Sequence, residues 1–200
     1  MIFVGIDLGQ HGGIAWIDDT LIPTSIGTHI TLPELRPMPE DIKEKFEILQ
    51  GIATTCHKGE RQYEKCILTM EDIQIYTNQN INVEAYQSLY QEMGMFHAWG
   101  YILGMEIKKV HPRTWQNKMN CLPLQGKQKA KAMAGQNLEE AKGWDREYGS
   151  KGLALREAKK RFLGVNLIAP GGKVPHDGII DALLIAEYSR REYQHVASIS

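Results

Sequence analysis

The sequence predicts an α/β domain, a mixed sheet covered by helices, because β-prone runs come first as a hairpin and then alternate with helical stretches. A third observation agrees: 200 residues at 42% hydrophobic content suffice for one buried core, so a single domain over residues 1–200 is expected. The first run, residues 2–6, is followed by the glycine-bearing turn Gly9 to Gly13 and a second run, Ile14 to Ile17, which together read as strand, turn, strand. Leu21 to Ile30 reads as a third strand, and Pro33, Pro37 and Pro39 then mark a loop. From Glu40 to His57 the apolar residues Ile42, Phe46, Leu49 and Ala53 share one helical face. Cys66 to Met70 is the next β-prone run and ends at Glu71-Asp72. Val83 to Leu103 is a long helix broken or softened at Gly94 and Gly100, and Glu106 to Val110 is one more strand. Pro112 to Pro123 reads as a loop carrying Trp115, before two basic helices at about Lys127 to Lys142 and Lys151 to Leu163, the second capped by Ser150. Gly171, Gly172 and Pro175 break the chain ahead of a last helix, Gly178 to Tyr193.

Composition excludes several classes of protein. Cys56, Cys66 and Cys121 are odd in number and widely spaced, with no C-x-x-C pair for zinc or redox work, as suits a reducing cytoplasm. The apolar start, MIFVGIDLG, lacks a basic flank and carries Asp7 where a signal peptide needs hydrophobic residues. Gly178 to Ala186 is interrupted by Asp181 and falls far short of the roughly 20 residues that span a bilayer, so no membrane association is expected.

The net charge of -1 hides a strong division. Residues 1–104 carry 6 Lys and Arg against 14 Asp and Glu, whereas residues 105–175 carry 15 against 6, so the two parts differ in sign. A concentrated basic block can displace counterions from a nucleic-acid backbone; two solvated helices with lysine-rich faces would give the same count.

Four carboxylates stand where an ordinary core would not place them. Asp7 sits inside the first apolar strand, and Glu71 ends the run Ile67 to Met70. Asp181 interrupts the apolar stretch of the last helix, where an unpaired carboxylate would be costly to desolvate. Asp177 either caps that helix or, four residues before Asp181, shares a face with it. Two carboxylates about 5 Å apart repel by roughly 3 kcal/mol at an effective dielectric near 20, so a converging set must protonate or recruit cations. All-oxygen, sulfur-free ligation suits Mg2+ or Mn2+, and two such ions can activate water and stabilise a departing oxygen in phosphodiester hydrolysis.

The ordered motifs GIDLG-x-x-GG, MEDIQ, VHPRTWQ, SKGLALREAKKRF and HDGIIDALLIAEY resemble those of RuvC-like Holliday junction resolvases, particularly phage-type members, over nearly the whole chain. The resemblance implies an RNase H-like five-stranded sheet, metal ligation by Asp7, Glu71, Asp177 and Asp181, and a homodimer that nicks four-way junctions to leave 5′-phosphate and 3′-hydroxyl ends. Many members separate the last two acids by two positions, against three here, and some use a histidine first, so His176 shares the candidacy with Asp177. DNA contacts are expected from Lys108, Lys109, Lys118, Lys127, Lys129 and Lys131. A second group comprises Lys151, Lys159, Lys160, Arg161 and Lys173, the last as a candidate for the scissile phosphate. Trp115 and Tyr76 either stack on bases or pack against the sheet. The long helix from Val83, apolar on more than one face, is the candidate dimer interface. Two other readings compete: a catalytically inactive DNA-binding relative, against which all four acids are present, and a fragment of an actin-like or sugar-kinase fold, whose required second domain does not fit in this length.

Overall fold

The computed structural model describes residues 1–19, 33–58, 65–73, 82–123 and 148–198. Five strands form one sheet: β1 (Ile2–Asp7), β2 (Gly13–Asp18), β3 (Glu34–Pro37), β4 (Cys66–Glu71) and β5 (Glu106–Val110), in the order β3-β2-β1-β4-β5. The pairs β1/β2 and β2/β3 are antiparallel, and β1/β4 and β4/β5 are parallel. Among the described residues five helices accompany them: α1 (Ile42–Lys58), α2 (Val83–Ile102), α3 (Pro112–Lys118), α4 (Ser150–Arg161) and α5 (Asp177–Ala197). The arrangement is a mixed five-stranded sheet flanked by helices, the α/β architecture expected from the sequence.

Strand alternation divides the core into two layers. Ile2, Val4 and Ile6 of β1 join Leu68 and Met70 of β4 in a cluster with Leu49 and Ile52 of α1 and Met93 and Phe96 of α2. The opposite face carries Ala15 and Ile17 against α5, with Trp115 of α3 and Ala154 and Ala158 of α4 in the same cluster. β1 touches α5 through Gly5, where a Cβ would stand 2.0 Å from the Ala182 carbonyl oxygen. Phe3, two residues earlier on that face, meets Tyr193 edge-on at 5.9 Å. Asp7 and Glu71 continue the same alternation and therefore face the α5 layer at the C-terminal ends of adjacent parallel strands.

Four elements differ from expectation. Glu34–Pro37 is a strand rather than part of a loop: it lies at the sheet edge, where a missing proline N–H is tolerated, and Pro37 pairs with Gly13 at its end. Residues Pro112–Lys118 are helical, because proline at the first position is pre-set for a helix and His111 caps it, accepting a hydrogen bond from the Arg113 N–H at 3.1 Å. α2 runs unbroken through Gly94 and Gly100; Gly100 instead admits the Leu68 and Ile107 side chains, which would lie 2.8 and 3.1 Å from a Cβ. The cap of α4 is Gly149, with Ser150 already helical. The expected strand Leu21 to Ile30 and the basic helix Lys127 to Lys142 lie outside the described residues.

Candidate active site

The backbone brings the last helix onto the first turn. A Cβ on Gly178 would stand 2.1 Å from the His11 carbonyl oxygen, and one on Gly13 2.6 Å from that of Gly178. Only glycine at both places lets the α5 N-terminus sit directly on the turn after Asp7. His176 is the cap of α5, its Nδ1 accepting the Ile179 N–H at 3.3 Å, which leaves Asp177 inside the helix and on one face with Asp181. Capping, offered above as the alternative task for Asp177, thus belongs to His176.

The electrostatics record the convergence. Burial pushes the Asp7 carboxyl well above the usual carboxylate range, and the charges of Asp181, Glu71, Glu92 and Asp177 push it in the same direction. Burial, with Glu71 and Asp177, pushes Asp181 up to about 7, opposed by the Lys151 ammonium. Burial also raises Glu71, while a hydrogen bond from Trp115 and the proximity of His111 act to lower it. Burial therefore raises three of the four predicted acids, and Asp7 and Asp181 are raised further by the charges of others of the set.

Two hollows flank Asp7. One, of about 580 Å³, is lined by His11, Lys151, Pro175, His176, Asp177 and Asp181 besides Asp7 itself. The other, of about 220 Å³, lies between Glu71 and the apolar side chains of Ile73, Tyr86, Leu89 and Pro112. Lys151 Nζ donates to Asp177 Oδ2 across the mouth of the first, and this hydrogen bond holds the ammonium above its ordinary range. Trp115, buried, donates its Nε1–H to Glu71 Oε2 at 2.9 Å, so packing rather than base stacking is its role here. Tyr76 lies outside the described residues.

The remaining predicted cations divide by environment. Lys118, Lys159, Lys160 and Lys173 are exposed. Lys118 pairs with Glu192 at 3.4 Å and Lys108 with Glu106 at 3.2 Å. Arg161 turns inward to Glu157 at 3.1 Å with little exposure, which sets it apart from the surface lysines. Lys127, Lys129 and Lys131 lie outside the described residues.

Three partners of the site were not singled out from sequence: Glu92 and Lys45, which form a buried ion pair, and Trp115 as the donor to Glu71. A signal for the pair existed. Glu92 falls on the apolar stripe of α2 beside Met93 and Phe96, and Lys45 falls one turn before Leu49 on that of α1.

In donor chemistry the acids fit a hard divalent cation: all are oxygen ligands, and shared burial and repulsion leave negative charge to be neutralised. Among the described residues, no group of three or more His, Cys, Asp or Glu side chains is placed to hold a metal ion.

No protein-family model matches the chain, and no curated protein matches it. Solved structures do. RuvC of T. thermophilus in complex with a Holliday junction substrate is 17% identical, with 96% of each chain covered and a TM-score of 0.49. A second Thermus thermophilus RuvC structure is 16% identical, covering 96% of this chain and 97% of that one, at a TM-score of 0.47. The yeast mitochondrial Holliday junction resolvase Ydc2 is 12% identical over 96% of this chain and 80% of its own, at 0.40.

Proposed function

We propose that this chain is a divalent-metal-dependent endonuclease acting on branched DNA, with four-way junctions as the principal substrate. The observation that carries the reading is the convergence of Asp7, Glu71 and Asp181, from three distant parts of the sequence, on one shielded place where each raises or feels the charge of the others. Structure alone gives no reason to gather carboxylates in this way, because their mutual repulsion weakens the fold. Branched DNA as substrate, 5′-phosphate and 3′-hydroxyl products, and a homodimer come from the motif resemblance.

Asp7, Glu71, Asp181 and Asp177 would hold Mg2+, with Mn2+ as a substitute, and His176 borders the same hollow. When bound, two such ions would activate a water and stabilise the departing oxygen. Trp115 holds one oxygen of Glu71 and leaves the other for a ligand. Lys151 occupies Asp177 with a positive charge and stands at the mouth of the hollow, where a phosphate would enter. Lys108, Lys109, Lys118, Lys159, Lys160 and Lys173, with Lys127, Lys129 and Lys131, would supply contacts to the DNA backbone.

A dimer would use α2, whose Tyr101 and Ile102 are 80% and 72% exposed although Met93 and Phe96 of the same helix are buried. Among the described residues no helix is long and apolar enough to cross a membrane. A thermal melt tests the proposal: Mg2+ should raise the melting temperature of the unaltered protein and leave that of Asp7→Asn unchanged. An equal Mg2+ shift in both proteins would remove Asp7 from the metal site.

A further inference from the structure

We propose that Glu92 and Lys45 form a buried positioning pair that fixes the turn following Asp7, with the Glu92 carboxylate acting as an anchor for the Gly9 backbone. The inference rests on the reading of Asp7 as a metal ligand.

The two side chains are 9% and 11% exposed and come from different helices, Glu92 from α2 and Lys45 from α1. Lys45 Nζ donates to Glu92 Oε1, and the Gly9 N–H donates to Glu92 Oε2 at 2.7 Å. One carboxylate thus ties both helices of this layer to the backbone two residues after Asp7. Gly9 needs holding. Its φ of +106° belongs to glycine, whose backbone is the freest in the chain, and a turn built on it has little stiffness of its own. The Gly12 N–H closes that turn on the Gly9 carbonyl at 2.9 Å, and the Met38 N–H bonds the Gly12 carbonyl at 3.0 Å, so Glu92 supplies the anchor on the side next to Asp7.

Stability alone is a weak reason to bury such a pair. Two well-packed apolar side chains often serve a core as well as two desolvated charges do. An apolar pair cannot accept the Gly9 N–H, and that hydrogen bond is what the charged pair adds. Lys45 answers the charge of Glu92 within the layer, although the Glu92 carboxylate still adds to the negative charge felt by Asp7. Groups that orient metal ligands from one shell further out typically matter 10–100-fold in metal affinity or activity.

The test uses two double variants in which the charge is gone but the acceptor is either kept or lost. Lys45→Met with Glu92→Gln retains an amide oxygen for Gly9; Lys45→Met with Glu92→Met does not. Melting temperature, Mg2+-induced melting shift, kcat on a synthetic junction, and junction affinity in Ca2+ are measured for both, beside unaltered protein and Asp7→Asn. The acceptor-keeping variant should stay within about threefold of unaltered protein, and the acceptor-lacking one should lose about 10–100-fold in kcat or in Mg2+ affinity. Junction affinity should be alike in the two, and the acceptor-lacking variant should melt at a lower temperature because the Gly9 N–H loses its partner.

Equal kcat and equal Mg2+ response in the two double variants, with Asp7→Asn inactive, would overturn the positioning pair and leave the metal site standing. An Asp7→Asn protein as active as the unaltered one would overturn the metal reading itself, and the pair with it. If the acceptor-lacking variant does not fold, hydrogen exchange at the Gly9 amide of the unaltered protein decides. Strong protection supports the anchor, and exchange at the rate of a free glycine overturns it.

Discussion

Replacing Asp181 by asparagine separates what this residue costs the fold from what it gives the site. Burial and the neighbouring Glu71 and Asp177 raise its carboxyl from an ordinary 3.8 to about 7. The folded protein therefore holds this proton more tightly than the unfolded chain does, and the associated stability is present at acid pH and lost as pH rises through about 7. The rise from 3.8 to about 7 corresponds to about 4 kcal/mol at most above neutrality. Asparagine keeps the shape and cannot ionise. In metal-free protein Asp181→Asn should thus melt higher than the unaltered chain at about pH 8, by on the order of 10 °C, from roughly 2–4 °C per kcal/mol at this size. Near pH 4 the gap should close, because Asp181 is then protonated and neutral like its replacement. Thermal melts in a chelator across this range make the measurement, and junction cleavage by the same variant should be abolished. Melting temperatures that run parallel at every pH would refute the claim that Asp181 is a strained, shielded carboxyl.

Trp115→Phe keeps most of the buried ring but removes the N–H that holds Glu71 Oε2; cleavage should fall about 10-fold with a higher Mg2+ requirement, read from rates against Mg2+ concentration. An unchanged Mg2+ dependence would show that Glu71 is oriented by something else. Gly5→Ala places a Cβ 2.0 Å from the Ala182 carbonyl oxygen and 2.5 Å from the Ala186 nitrogen, so α5 must move off β1. Urea unfolding should register a loss of about 2–3 kcal/mol, and a loss under about 0.5 kcal/mol would mean the helix does not press on the strand as described. Neutralising Lys127, Lys129 and Lys131 together should weaken binding to every DNA shape and flatten its salt dependence, measured by fluorescence anisotropy, and an unaltered salt slope would contradict the backbone contacts.

The strands and helices with clear periodicity were legible in the sequence because each follows from its own residues: Ile2 to Ile6, Cys66 to Met70 and the stripe of Ile42, Phe46, Leu49 and Ala53. Elements that depend on a partner were not. Glu34–Pro37 is a strand only because β2 lies beside it, and its prolines masked the fact. Pro112, read as a loop residue, starts a helix that His111 caps and that Trp115 locks into the core. The acids of the site were visible as charges in apolar company, but the packing that brings them together was not. It depends on Gly5, Gly13 and Gly178 letting α5 lie against β1 and the turn after it, a contact between residues more than 160 positions apart. Trp115 as the donor to Glu71 stayed hidden for the same reason, since a partner 44 positions away leaves no local pattern, whereas Glu92 and Lys45 each left a charge on an apolar stripe but no sign that they pair across 47 positions.

The measurement that bears most directly on the proposed activity is cleavage of a panel of synthetic DNA substrates, four-way junction, fork, flap and plain duplex, by unaltered protein and by Asp7→Asn. With Mg2+ the unaltered chain should nick the four-way junction fastest and on two symmetric strands, leaving 5′-phosphate ends, while chelator or Asp7→Asn should abolish the reaction. Cleavage that persists in chelator, or that Asp7→Asn performs at the unaltered rate, would contradict the account.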